Sequence, residues 1–242
     1  MAVRYSSRTA SIFRVKLLKR ALRWGLILLL VLLVLDIGYL VGIWPQWELY
    51  RTGPIQRSSF IREYESERQR HPDWPKLRWN PVSIQTIPKS MLRAVVAAED
   101  SRFYEHDGVD LQAFKEAMEH NLSEQRMVYG ASTISQQTVK NMFLSPSRNP
   151  LRKWHELWLT LGMERNLSKR RILEHYLNVA EFGRGIYGVD AAARYYWGIP
   201  ARRLNSRQAI ELAATLPSPV KNNPRTATSS FRKRVRKIRR YF

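Results

Sequence analysis

The chain has 242 residues, no cysteine and a formal net charge of +21. That length suits one ordinary domain core, and the missing thiols exclude disulfide scaffolds, thiolate metal sites and a cysteine nucleophile. The charge is uneven: residues 1–23 carry seven cations and no acid, residues 221–242 carry nine cations and no acid, and the remainder holds 25 cations against all 20 acids.

Residues 1–23 form a basic N-terminus that the charge bias assigns to the cytoplasm. Residues 24–44 read WGLILLLVLLVLDIGYLVGIW, with Asp36 as the one charge. As a helix this run is about 31 Å long, the thickness of a bilayer's hydrocarbon core. Trp24, Tyr39, Trp44 and Trp47 sit near its ends, where interfacial aromatics belong. No small-residue cleavage site follows, so the run is expected to be an uncleaved anchor with everything after it exported. A buried core helix is the blander alternative, disfavoured by the length and the basic flank.

Residues 45–88 contain six prolines and dense charge, which predicts a juxtamembrane linker. From residue 89 to 220 the pattern is mainly α-helical, with no visible repeat. Helices are expected over 91–98 behind a Ser90 cap, and from Leu111 behind Asp110, with Phe114, Met118 and Leu122 on one face. Thr133 and Gln136 have the spacing of a capping box. Leu151, Trp154, Leu157, Trp158 and Leu161 form an apolar stripe after Pro150, with Arg152 and Glu156 opposite it. Ser168 caps a helix expected over 169–182, with Gly183 as its stop. Helices over 190–197 and 206–216 complete the domain. Residues 221–242 are expected to be a solvated basic tail, with contact to anionic lipid or polymer as the alternative.

Three segments carry residues suited to chemistry. In EDSRFYEHDG (99–108), Glu99 ends an apolar helix, where partial desolvation raises a carboxyl pKa and prepares a general acid or base. An ordinary exposed helix-end acid fits the same letters. GASTISQQTVKN (130–141) places small hydroxyls and two glutamines at a helix start, a layout that suits an anion and equally a well-capped surface helix. RNPLRKWHELW (148–158) pairs Arg152 with Glu156 at i, i+4, either a surface salt bridge or a second carboxylate in a cationic cradle. Two carboxylates with such a cradle suit sugar transfer from a diphosphate. GRGIYG (183–188) satisfies G-x-G-x-x-G but follows a helical pattern, which argues against a dinucleotide site. The S-x-x-K matches at Ser218 and Ser230 lack companion motifs, and His155-Glu156 lacks the second histidine of a zincin.

Together these segments resemble glycosyltransferase family 51, the peptidoglycan glycosyltransferases, and within it the monofunctional biosynthetic transglycosylases. EDSRFYEHDG, GASTISQQTVKN, RKWHE (152–156), SKRRILEHYLN (168–178) and RGIYGVDAAARYYWG (184–198) carry the likeness in family order. Ser135 stands where the family usually has threonine. The resemblance implies a helical, lysozyme-like domain with a cleft between two lobes. It implies Lipid II and the nascent glycan strand as substrates, and inverting transfer to a β-1,4 linkage. Glu99 is then the general base on the acceptor 4-hydroxyl, and Glu156 the second carboxylate near the leaving diphosphate. Asp100, Phe103 and His106 support the first site. Ser132, Thr133, Gln136, Gln137 and Lys140 line the donor side, and Arg148, Arg152 and Lys153 face diphosphate. The family allows a divalent cation (Mg or Mn), although the sequence shows no required cofactor and no metal ligands.

These features imply a single-pass protein of the bacterial inner membrane, with an exported catalytic domain and no transpeptidase part. Its partners are membrane lipid and cell-wall or cell-division proteins, not nucleic acid. A lytic transglycosylase or lysozyme-like hydrolase is the alternative enzyme, since one acid can serve either direction. A membrane-bound binder of anionic polymer is the non-enzymatic alternative; the mild charge of the middle of the chain argues against it.

Overall fold

The computed structural model describes residues 4–123, 132–147 and 149–242. They form two units, Met1–Pro45 and Gln46–Phe242. The first consists of helix α1 (Arg4–Gly42). Its Lys16–Gly42 portion has a mean hydropathy of 2.6 and is long and apolar enough to cross a membrane. The leucines and valines of this portion, apart from Leu40, are exposed. Pro45, three residues beyond Gly42, cannot continue a helix, so the turn leaves Trp44 outside it.

The second unit contains α2 (Trp47–Thr52), α3 (Ser59–Arg70), β1 (Arg78–Trp79), α4 (Lys89–Glu99), α5 (Leu111–Ser123), α6 (Ile134–Phe143) and α7 (Pro150–Asn166). It continues with α8 (Lys169–Val179), β2 (Glu181–Gly183), β3 (Ile186–Tyr187), α9 (Val189–Trp197), α10 (Ser206–Thr215) and α11 (Ser229–Arg239). Helix α8 is its centre. Every residue from Ile172 to Val179 is buried, and α6, α7 and α9 pack around it. Ser168 caps α8 by accepting from the Arg171 N–H.

Helix α8 ends at Val179, earlier than expected, because residues 181–187 form a hairpin. β3 pairs antiparallel with β2 and parallel with β1, giving the order β1-β3-β2. The G-x-G-x-x-G match is this hairpin's turn and exit. Gly185 has φ +71°, and a Cβ there would lie 2.4 Å from the Tyr64 hydroxyl, so the glycine serves a tight turn.

Residues 46–88 are not a linker. Asn178 on α8 is fully buried; its Oδ1 accepts from the Val82 N–H at 2.8 Å, and its Nδ2 donates to the Val82 carbonyl at 2.9 Å. Trp79 donates its indole N–H to the Asn178 carbonyl, and Glu174 accepts from the Ile84 N–H. His175 and Arg171 both donate to the Tyr50 carbonyl. Ile61, Tyr64, Ile84 and Ile87 are buried with the rest of the core. The prolines end short elements; they do not keep the chain extended.

The C-terminal stretch is also folded. Thr228 caps α11 by accepting from the Phe231 N–H, and Phe231 and Ile238 are buried where α11 packs against α10 and α4. Spacing of Phe231, Val235 and Ile238 at i, i+4, i+7 turns one apolar stripe inward. The six other cations of the helix and its cap, Arg232, Lys233, Arg236, Lys237, Arg239 and Arg240, are exposed.

Candidate active site

Glu99 closes the C-terminal turn of α4, whose Met91, Ala94 and Val95 are buried. This helix begins behind Pro88; Ser90 makes no cap. The Glu99 side chain is 8% exposed. Gln137 on α6 donates its amide to Glu99 Oε2 at 3.0 Å. Arg234 on α11 donates Nη2 to Oε1 at 2.5 Å and to the Ala98 carbonyl at 3.2 Å. Burial pushes the Glu99 carboxyl above its ordinary range; Arg234, the Gln137 hydrogen bond and Lys140 pull the other way. Behind Gln137 lies the fully buried Tyr176 of α8, whose hydroxyl donates to Gln137 Oε1 at 3.0 Å.

Glu156 lies on α7 and its side chain is 3% exposed. Arg152 Nη1 donates to Oε2 at 2.7 Å, and Lys153 Nζ donates to Oε1. The face of α7 turned inward holds Glu156, Leu159, Thr160 and Met163, while Leu151, Trp154 and Trp158 of the apolar stripe are exposed. Thus the carboxylate of the i, i+4 pair is buried and much of the stripe opposite it faces outward. Leu111, Phe114 and Met118 of α5 are exposed too.

Lys140 lies on α6, one turn beyond Gln137. It lies within the field of Glu156, Arg152, Lys153 and Glu99, and burial depresses its pKa. Lys153 Nζ also reaches the exposed Ser132 hydroxyl at 3.4 Å, while Gln137 reaches the Ser132 carbonyl at 3.5 Å. Glu99, Gln137, Ser132, Lys140, Arg152, Lys153 and Glu156 therefore form one connected neighbourhood. Around Glu156, Arg152 and Lys153 both bond the one carboxylate, leaving an excess of positive charge suited to a polyanion. Arg148, expected on the same side, lies outside the described residues.

Asp100, Phe103 and His106, expected to support the first site, and Thr133 and Gln136, expected to line the donor side, all engage protein partners in the frame around it. Phe103 is fully buried, with Lys169 Nζ 4.7 Å from its ring centre. Thr133 and Gln136 make a reciprocal capping box at the start of α6, and Thr133 also donates to the Gly108 carbonyl at 2.6 Å. Asp100 accepts from the Ile134 N–H and from His106 Nε2 at 3.0 Å. His106 Nδ1 accepts from the Gly108 N–H, so Nε2 carries the proton given to Asp100. These bonds tie the loop after Glu99 to the start of α6. Their side chains are spent on protein partners, so the frame sets where Glu99 and Gln137 meet.

Asp100, His106 and Asp110 bring possible ligand atoms within 4.8 Å of one another. Arg102 bonds both Asp110 oxygens, and the Ala113 N–H takes Oδ1 as well. With the Asp100 and His106 bonds above, each group is already engaged, and this cluster does not suit a divalent cation.

Two residues of the neighbourhood escaped the sequence reading. Tyr176 lies within the SKRRILEHYLN segment, and its hydroxyl gives no signal of its own there. Arg234 was hidden in a run of cations, although the Phe231/Val235/Ile238 spacing pointed to the helix that aims it.

The mainly helical domain thus brings two buried carboxylates together with a cluster of cations. The transglycosylase family model matches residues 69–241, and the chain belongs to that family. It is 42% identical over 224 residues to the biosynthetic peptidoglycan transglycosylase of Azoarcus sp. (strain BH72), covering 90% of this chain and 96% of that one. The protein of the same description from Aeromonas hydrophila subsp. hydrophila is 48% identical over 159 residues, 66% of this chain and 67% of its own. That from Salmonella arizonae is 51% identical over 151 residues, 62% and 60% respectively.

Proposed function

We propose that Glu99 and Glu156 serve the two ends of one glycosyl transfer, by which this membrane-anchored enzyme polymerises peptidoglycan glycan chains for the cell wall. The acceptor is the sugar 4-hydroxyl of Lipid II, and the donor is the growing glycan on its lipid diphosphate. Glu99 takes the acceptor hydroxyl's proton as the oxygen attacks the donor's anomeric carbon. The bond from that carbon to the diphosphate breaks, and the leaving group keeps the electron pair. Attack opposite the leaving group inverts an α-linked donor to a β-1,4 product.

Lys140, Arg152 and Lys153 face the charge that gathers on the diphosphate, with Glu156 holding Arg152 and Lys153 in place. The observation that carries this reading is the run of contacts from Glu99 through Gln137, Ser132 and Lys153 to Glu156. It makes base and leaving-group cradle parts of one site. The apolar Lys16–Gly42 helix suits a single-pass anchor, with the basic N-terminus in the cytoplasm and the domain outside the inner membrane.

The test is polymerisation of Lipid II by the full-length protein in detergent, read as glycan length on gels. Glu99→Gln is expected to lower the rate by at least about 100-fold with helicity and melting temperature unchanged. Glu156→Gln is expected to lower it too, because Arg152 and Lys153 lose the anion that orients them. A folded E99Q protein polymerising at the parent rate sinks the assignment of the base. Release of soluble fragments from isolated cell-wall sacculi, without polymerisation, would instead establish the hydrolytic direction.

A further inference from the structure

We infer that Arg234, brought in by the C-terminal helix α11, is a positioning residue for the Glu99 base. This rests on the reading of Glu99 given above. The basic end of the chain is then part of the catalytic apparatus.

One terminal nitrogen of Arg234 bridges two acceptors, Glu99 Oε1 at 2.5 Å and the Ala98 carbonyl at 3.2 Å. Gln137 holds the other carboxylate oxygen at 3.0 Å. The carboxylate plane is thus held from both sides, and each oxygen keeps a lone pair for an incoming hydroxyl. Arg234 Nε is buried without a hydrogen-bond partner, which leaves the guanidinium's interactions concentrated on the Glu99 turn.

The aim is specific to this side chain. Arg234 is 33% exposed, whereas the other cations of residues 232–240 are exposed outright. A buried ion pair adds little net stability after desolvation, so fold stability is a weak reason to place one here. A base in a dry site has a stronger need. Burial favours the neutral acid, which cannot accept a proton, and an adjacent cation restores the anion. The charged or polar groups facing Glu99 are Arg234 from α11, Gln137 and Lys140 from α6 and the Tyr176 hydroxyl from α8. On α10, which also packs against α4, Arg207 and Glu211 bond each other.

The experiment measures initial polymerisation rates of full-length protein in detergent from pH 5 to 9, with Lipid II as substrate. The wild type, Glu99→Gln, Arg234→Gln, Arg234→Lys and the exposed-site control Lys233→Gln are compared. Arg234→Gln is expected to lower kcat about 10- to 100-fold with little change in KM. Its acidic limb is expected to move up by about one pH unit, because the proton is held more tightly once the cation is gone. Lys233→Gln is expected to match the wild type.

A folded Arg234→Gln protein whose acidic limb has not moved, or which turns over faster than the wild type, overturns the inference. Should Arg234→Gln fail to fold, Arg234→Lys decides. It keeps the charge but not the planar fork, so a lowered kcat with the wild-type limb is expected, and an unchanged kcat overturns the positioning role. If Glu99→Gln itself remains active, the reading of the base fails along with this one. If Glu99→Gln is dead and Arg234→Gln shows an unmoved limb, only the inference about Arg234 fails.

Discussion

His175 and Glu181 lie six residues apart, and burial drives their protonation in opposite directions. The His175 ring is fully buried, gives its Nε2 proton to the Tyr50 carbonyl and leaves Nδ1 without a partner. Burial pushes its pKa down to about 4. Glu181 on β2 is pushed up to about 7 by burial, against a backbone hydrogen bond from Gly185 and the charge of Arg184. The signs follow from linkage. Below pH 6.5 the unfolded chain protonates at His175 while the folded chain does not until about pH 4, so acidification costs stability. Glu181 takes up its proton in the folded state near pH 7 and in the unfolded state near 4.5, so acidification over that window adds stability. In the wild type the two largely offset. Glu181→Gln is therefore expected to lose about 2 kcal/mol between pH 7.5 and 5, and His175→Gln to gain a similar amount. Urea unfolding at both pH values measures this; parallel slopes for all three proteins would refute it. Neither group stood out in the sequence, because desolvation depends on neighbours from α2, α3 and the hairpin that spacing does not reveal.

Among elements, α6 and α11 mark the two extremes of legibility. The start of α6 was readable because a capping box is local: Thr133 and Gln136 satisfy each other's backbone within one turn. Helix α11 was read as a solvated tail because its cations outnumber its apolar residues, and no local rule says that a Phe231/Ile238 stripe finds a partner. The partners are α10 and α4, remote in sequence. Phe231→Ala is expected to cost about 3–5 kcal/mol of stability, as for other fully packed aromatic residues. Since α11 also carries Arg234, polymerisation should fall even at temperatures where the variant remains folded. A melting temperature and rate equal to the parent's would show that the helix does not matter to the site. Helix α7 gives the reverse lesson: its Leu151/Trp154/Trp158 stripe was legible, but the structure leaves it exposed and buries Glu156.

At the scale of the whole molecule, the chain divides into two compact units, the one that holds the apolar helix α1 and the helical domain. Tethering an enzyme where its lipid-linked substrates reside raises their effective concentration without a new contact. A chain beginning at Gln46 is expected to keep its helicity and to polymerise Lipid II in detergent. On substrate embedded in vesicles at equal protein concentration, its rate should fall about 10- to 100-fold. Equal rates of the full and shortened chains on vesicles would remove this role from α1.

By itself the sequence determined what depends on near neighbours or on bulk composition. The apolar run of α1, the helical character of the domain, the caps at Asp110, Thr133 and Ser168, and the motifs that carry Glu99 and Glu156 are all of this kind. The tertiary structure alone decided which side chains lose water and which distant groups they then meet. It folded residues 46–88 onto α8, engaged Asp100, His106, Thr133 and Gln136 in bonds that join the loop after Glu99 to the start of α6, and set Arg234 against Glu99 across 135 positions of chain. Hydrogen bonding within a turn is written in adjacent residues. Desolvation and long-range ion pairing exist only once the core has closed, and those two effects act together on the Glu99 carboxyl.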